Sequence, residues 1–380
     1  MGRIPEKLIR KIRRNIMLIG DDLREFPASK DGDYLADREK AIPLGHIFNW
    51  TQSFFPGMAL WAYLDTGDAV FLEWALRFRE QYADKVSRTP METMHDLGFL
   101  YSPYAVMLYE ITGDEASKTM AIRAADALAM RFIPQGQFIR AWGRMDDVIP
   151  DYVDPALAKN CFFQESKGLA IVDSMMNLPL LFRASEWTGH PYYRRIAVAH
   201  ADTTLRFFLR EDHSVCHAYR FSEETGQPLG EANYCGYSNG SHWARGTAWA
   251  IYGFALAYGY TGETRYLDAA GRLLDKFMRE CGEGLPAWDF RLPPGEARNP
   301  DSSAAAIALC GVMELQKRIE RPALEAFKRR LRGWLEPCVD EDETRMGLLR
   351  EQNGLHTYAP YGDYFLVESM MKEASDIRVW

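Results

Sequence analysis

Apolar positions along this chain fall into two kinds of stretch that alternate. "AWAIYGFALAY" (248–258) is apolar nearly all round, whereas "TRYLDAAGRLLDKFMREC" (264–281) carries one apolar stripe and one charged face. A helix that is apolar on every side is enclosed by protein, and a striped one lies between a core and water. A short phrase separates the two kinds: "YLDTGD" ends at Asp68, "YEITGD" at Asp114, "SEWTGH" at His190 and "YGYTGE" at Glu263. Glycine after the last periodic residue supplies the left-handed turn that stops a helix, and an acidic residue next suits the following helix start. The phrases therefore predict antiparallel helical hairpins, with glycines at 67, 113, 189 and 262 spaced 46, 76 and 73 apart. The first spacing equals one helix pair, and the longer two equal a pair plus a loop excursion. An inner ring of enclosed helices within an outer ring of striped ones is an all-α toroid, an α/α barrel. A TPR- or HEAT-like solenoid is the plainer alternative, but it would keep a stricter repeat.

Few segments alternate with period two. "SVCHAYRF" (214–221) is the best strand candidate, as one arm of a loop hairpin. No linker divides the 380 residues, so they read as a single catalytic domain, 1–380, with "RLPPGEARNPDSS" (291–303) as its richest loop. The opening "MGRIPEKLIRKIRRNIMLIG" is basic without a continuous apolar run, which predicts an amphipathic first helix rather than a signal peptide. The longest apolar run, 248–258, is too short to span a bilayer.

Composition narrows the function. The net charge of -8 argues against nucleic-acid and anionic-membrane partners, which need a basic field. Six cysteines (161, 216, 235, 281, 310 and 338) show no metal-like spacing and read as free thiols in a reducing, cytoplasmic setting. The glycosylation-type sequons at Asn49 and Asn239 then carry no weight. No HExxH, phosphate-cradling loop, nucleophile elbow or Cys/His set appears, so neither metal nor cofactor is expected.

Two carboxylates stand out. Asp96 interrupts the apolar run in "METMHDLGFLYSP", and Asp173 does the same in "GLAIVDSMMNLPLLFRASEWTG". An isolated buried charge is too costly to persist, so each acid sits at a cavity mouth or has a partner. Each lies at the start of an apolar helix, and such starts converge on one rim of a toroid. Two acids there can have their proton affinities driven apart, leaving one protonated as a general acid. The plainer role is an N-cap, the commonest reason for Asp at a helix start. Arg245, in "SHWARGTAW", offers a permanent charge and a fork for a carboxylate, or a structural pair with an acid. Trp50 and Trp142 lie in loop-like polar text where an indole can stack on a sugar; Trp243 and Trp249 suit a core better.

"HDLGF", "DSMMNLPLL" followed by a TG phrase, "WARGTAWAIYGFALAY" and "GDYFLVESM" together resemble the unsaturated glucuronyl hydrolases, glycoside hydrolase family 88, over nearly the whole chain. That resemblance implies an (α/α)6 barrel acting on 4,5-unsaturated uronic acid at the non-reducing end of lyase-generated oligosaccharides. It makes Asp173 the general acid/base and Asp96 a supporting carboxylate. It puts His95, His217, Arg245, Cys235 and Trp249 against the substrate, with Trp50 and Trp142 as aromatic walls. The implied chemistry is hydration of an enol ether: Asp173 protonates C4, then activates a water that adds at C5. Asp96 would anchor a ring hydroxyl and, through its negative charge, keep Asp173 protonated. Two departures stand out: Cys235 occupies a position where the family carries Gln, and "LHTYAPYGDYFLVES" lacks a Ser-bearing loop, leaving Tyr358, Tyr361 or His356 for the uronate carboxylate. Related readings are an unsaturated rhamnogalacturonyl hydrolase, a sugar 2-epimerase recruiting His95 and His217, and a non-catalytic oligosaccharide-binding toroid.

Overall fold

The computed structural model describes residues 4–23, 26–35, 50–149 and 157–380. Its helices alternate between two concentric layers. Outer α1 (Glu6–Ile19) is followed by inner α2 (Phe54–Thr66), outer α3 (Ala69–Leu76) and α4 (Arg79–Arg88), inner α5 (Leu97–Tyr101) and α6 (Met107–Thr112), and outer α7 (Glu115–Ala129). After the short α8 (Cys161–Gln164) come inner α9 (Leu178–Thr188), outer α10 (Pro191–Phe207), inner α11 (Ala244–Thr261) and outer α12 (Thr264–Cys281). Inner α13 (Ser302–Gln316), outer α14 (Pro322–Leu335) and inner α15 (Pro360–Met371) complete the series, and α15 packs on α2 to close the ring. This is an (α/α)6 barrel.

The layers obey the patterning that predicts them. From Ala244 to Ala257 every residue of α11 is buried, and α13 is buried from Ser302 to Leu315. In α12 burial is confined to a stripe that includes Tyr266, Ala270, Leu273 and Phe277. Likewise α1 buries Leu8, Ile9, Ile12, Ile16 and Ile19, as expected of an amphipathic first helix.

All four TG phrases close hairpins in the same way. Gly67, Gly113, Gly189 and Gly262 have φ of 71°, 68°, 69° and 71°, the left-handed region that glycine enters without steric cost. The threonine before each glycine also bonds twice. Its hydroxyl donates to the carbonyl four residues back (Thr66 to Ala62, 2.7 Å; Thr261 to Ala257, 2.7 Å) and accepts the N–H two residues on (Asp68, 3.2 Å; Glu263, 3.1 Å). Thr112 and Thr188 repeat both bonds. Each turn thus satisfies groups that a helix end leaves orphaned.

One inner position departs from a plain helix. Between α5 and α6, residues Ser102–Val106 widen into a π turn, with Met107 N–H bonded to Ser102 O; Pro103 lacks the N–H that a regular turn would use. The excursions predicted by the long spacings lie at the opposite end from the TG turns. They contain a two-stranded ribbon, β1 (Phe132–Ile133) with β2 (Phe138–Ile139), and an antiparallel sheet of β3 (Leu169–Ile171), β4 (Ala218–Phe221) and β5 (Pro228–Ala232). β4 occupies the second half of the strand expected over 214–221, and it forms its hairpin with β5. No helix among the described residues is long and apolar enough to cross a membrane, and all six cysteines are unbridged. Asn239 is exposed; Asn49 lies outside the described residues.

Candidate active site

Every inner helix begins at the same rim. Trp50 lies just ahead of α2, Asp96 ahead of α5, Asp173 in the 3-10 turn Val172–Met176 before α9, Arg245 in the first turn of α11, Asp301 at the cap of α13, and Tyr361 in the first turn of α15. Six helix starts gathered at one rim favour negative charge there, despite the net negative charge of the chain.

The two acids ride on segments that touch. Phe99 N–H donates to Asn177 Oδ1 (2.9 Å), Asn177 Nδ2 donates to Asp173 O (3.2 Å), and His95 Nδ1 lies 2.8 Å from Ser174 Oγ. Gly98 permits the approach: a Cβ there would lie 2.4 Å from Asn177 Cα. Asp96 occupies the cap position of α5, but its carboxylate makes no capping bond. Instead Oδ1 lies 3.2 Å from His95 Nε2, while 17% of the side chain stays accessible. Asp173 is 16% accessible, with its Oδ2 buried and unpartnered.

This setting raises both proton affinities. Burial pushes Asp96 up to about 8, with the Asp173 charge adding to it and Arg131 opposing. Burial pushes Asp173 up to about 6, against the pull of Arg245 and its own backbone N–H. Interacting acids titrate as a pair, and this pair retains a proton near neutrality. Burial and mutual repulsion hold that proton within the pair, as expected of two acids placed together. Arg245 acts on one member, its cation stabilising the Asp173 carboxylate.

His217 lies on the other side of Asp173. Its Nδ1 accepts the backbone N–H groups of Tyr234 (3.0 Å) and Cys235 (3.3 Å). A neutral ring that accepts at Nδ1 carries its hydrogen on Nε2, and burial holds the ring neutral by lowering its pKa to about 3. The Nε2–H therefore faces Asp173 Oδ2 at 3.8 Å. Arg245 Nη1 donates to Asp301 Oδ2 (3.0 Å) and Asn353 Oδ1 (2.9 Å). Its guanidinium is sandwiched between Trp243 (4.6 Å) and Tyr361 (4.9 Å), and Tyr361 stacks in turn on half-buried Trp50 (4.9 Å, 22°). Across the site, Trp142 packs edge-on against Tyr234 at 4.7 Å.

Some expected substrate contacts sit deeper than the sequence implies. Trp249 is fully buried between Phe99 (5.1 Å) and Phe365 (5.2 Å), so it belongs to the core beneath the site and not to its surface. His95 and His217, 1% and 4% exposed, lie behind the two acids rather than in front of them. Trp50, Trp142, Arg245, exposed Cys235 and both acids are brought together at the rim. Of the three residues considered for a uronate carboxylate, only Tyr361 joins Arg245. Tyr358 is buried against Asp340 and Arg345, and His356 pairs with Glu351. Asp301 and Asn353 went unmarked in the sequence. "NPDSS" carries a cap signal and "QNG" a turn signal, and Asn353 indeed has φ of 64°. Among the described residues, no cluster of His, Cys, Asp and Glu is disposed to hold a metal ion.

A paired-acid site at the N-terminal rim of an (α/α)6 barrel defines a class of carbohydrate-active enzyme. Comparison with known proteins narrows the class. The sequence model of Glycosyl Hydrolase Family 88 matches residues 31–265. An unsaturated glucuronyl hydrolase of Bacillus sp. (strain GL1) is 32% identical over 374 residues, covering 94% of this chain and 93% of the relative. An unsaturated chondroitin disaccharide hydrolase of Streptococcus pyogenes serotype M1 is 28% identical, covering 97% and 90%. The crystal structure of an unsaturated glucuronyl hydrolase from Streptococcus agalactiae superimposes with a TM-score of 0.85 at 27% identity, covering 99% of this chain and 92% of that one. The chain belongs to glycoside hydrolase family 88.

Proposed function

We propose that this protein, acting as one catalytic domain, removes 4,5-unsaturated uronic acid from the non-reducing end of lyase-generated oligosaccharides. The supporting observation is the juxtaposition of two carboxylates with raised proton affinity beside Arg245 on a rim of helix N-termini. A uronate carboxylate drawn toward Arg245 offsets the cation's pull on Asp173, which favours the shared proton on Asp173 as substrate binds. With His217 Nε2–H facing Oδ2, the proton is carried on Oδ1. Asp173 then delivers it to C4 of the double bond, leaving positive character at C5 and the ring oxygen. The resulting carboxylate takes a proton from water as the water oxygen bonds to C5, which restores the acid. The C5 hemiketal opens, the aglycone leaves, and one water has been consumed. Asp96 anchors a ring hydroxyl, Trp50 and Trp142 flank the sugar, and Cys235 borders the site where a longer polar side chain would reach further in.

A 2-epimerase would need histidines free to act as bases, whereas His95 and His217 are enclosed and held neutral by burial. Six unbridged thiols favour a reducing, cytoplasmic location. The test is loss of the ultraviolet absorbance of the conjugated enol ether when protein meets unsaturated disaccharides from chondroitin, heparin, alginate, gellan and ulvan. Steady absorbance across that panel overturns the proposal.

A further inference from the structure

Arg131 follows α7 and is 1% exposed, yet it meets no carboxylate within 4.0 Å among the described residues. Its donors go to main-chain carbonyls instead: Nε to Arg140 O (2.8 Å), Nη1 to Thr93 O, and Nη2 to Trp142 O and Gly143 O (2.9 Å each) and Ala141 O (3.3 Å). The neighbouring Arg140, equally buried, is compensated by Asp147 at 2.5 Å and Glu223 at 3.6 Å. An enclosed cation that touches no carboxylate is expensive, and carbonyl dipoles with the more distant charges of Asp96 and Glu223 offset only part of that cost. The position of this one suggests what it is retained for. The carbonyls it gathers come from two strips of chain that both reach the rim, 140–143 with Trp142 and the 93–96 turn with His95 and Asp96. Those strips are also tied directly, His95 N–H to Ala141 O at 2.9 Å.

We propose that Arg131 is a positioning residue of this site: its fork binds the Trp142 loop to the His95–Asp96 turn and places a buried positive charge, in contact with no carboxylate, behind Asp96. This inference rests on the reading of Asp96 and Trp142 as site residues. The groups facing Asp96 are His95 beside it, Asp173 from the turn before α9, and Arg131 from the end of α7. Among these the neutral imidazole carries no charge, and Asp173 opposes ionisation. Arg131 alone favours an ionised Asp96, which is the state required once the proton has passed to Asp173. Burial lowers the guanidinium itself to about 9, so it remains charged at neutrality.

The test needs no substrate. In protein labelled with 13C at the Asp carboxyl carbons, the Asp96 signal is assigned by its loss in Asp96→Asn, and its titration is followed alongside amide exchange of residues 140–143. Arg131→Gln should raise the Asp96 midpoint by about one unit or more, the effect of one nearby charge, and speed exchange at 141–143. Arg131→Lys keeps the charge but not the fork, so the midpoint should stay while exchange still rises. A folded Arg131→Gln protein with an unmoved midpoint overturns the proposal. If the Gln variant does not fold, Arg131→Lys decides: a displaced midpoint, or exchange as slow as in the parent protein, overturns it. A protein that titrates as stated but consumes no unsaturated disaccharide refutes the functional reading alone.

Discussion

Replacing Gly98 by Ala adds one methyl group at the point where the two acid-bearing segments meet. The new Cβ would fall 2.4 Å from Asn177 Cα and 2.7 Å from Asn177 Oδ1. Carbon atoms rest at about 3.5–4.0 Å, so the segments must part by roughly 1 Å. Backbone on both sides leaves no flexible side chain to absorb that displacement. Overpacking of this kind costs about 1–3 kcal/mol, and stretching the Phe99 N–H to Asn177 Oδ1 bond adds up to about 1 kcal/mol more. A 1 Å error in the placement of reacting groups lowers turnover by about 10²-fold. Gly333→Ala is the control, since that glycine lies exposed in α14 with nothing within 4 Å of its added Cβ. It should stabilise the protein by about 0.4–1 kcal/mol with unchanged activity. Denaturant midpoints and the absorbance assay measure both variants. A Gly98→Ala protein with the parent midpoint and the parent rate would refute the claim that this contact sets the spacing of the acids.

Asp173→Asn removes the proposed proton donor and should lower turnover by about 10²–10⁴-fold, with substrate binding retained in calorimetry. Asp96→Asn should stabilise the fold in a pH-dependent way. The native carboxyl is raised to about 8, above an unfolded value of about 4, so the native state loses stability as pH rises through that window. The melting temperature of the variant should match the parent below about pH 4 and exceed it increasingly up to about pH 8; a constant offset would contradict the sign. Arg245→Lys keeps a charge but forfeits the fork held by Asp301 and Asn353, and should raise KM by about tenfold, the loss of about one charge-assisted bond, with a smaller change in kcat. Cys235→Gln extends a polar group into the rim and should lower KM for the same disaccharides, measured in the absorbance assay.

The periodic part of the architecture was legible because it is locally encoded. Each TG phrase contains the whole of its turn, glycine and threonine together, and the enclosed helices announce themselves by composition. Asp96 and Asp173 were visible as charges in apolar text. The pull of Arg245 on Asp173 was not, because that neighbour is supplied by a different hairpin. Trp249 reads much like Trp243 in the sequence, yet one lies beneath the floor and the other stacks on Arg245; a difference of six positions along the chain decides which way each ring points. Asn353 reaches Arg245 across 108 residues of sequence. Arg131 was invisible for another reason: its partners are carbonyl oxygens, which every residue possesses and no motif records. Pro103 marks a break in the inner helix, but where the helix resumes is set by tertiary packing.

The matched threonine–glycine turns all lie at the end of the barrel remote from the acids, so the two ends are under different demands. One end repeats a self-contained closure that needs no partner beyond its own hairpin. The other is assembled from excursions of unequal length that are free to differ from hairpin to hairpin. Changes of aglycone preference can therefore accumulate in the excursions while the closures go on holding the ring, and a graft of residues 291–301 or 351–357 between relatives should transfer selectivity without a new fold having to be found.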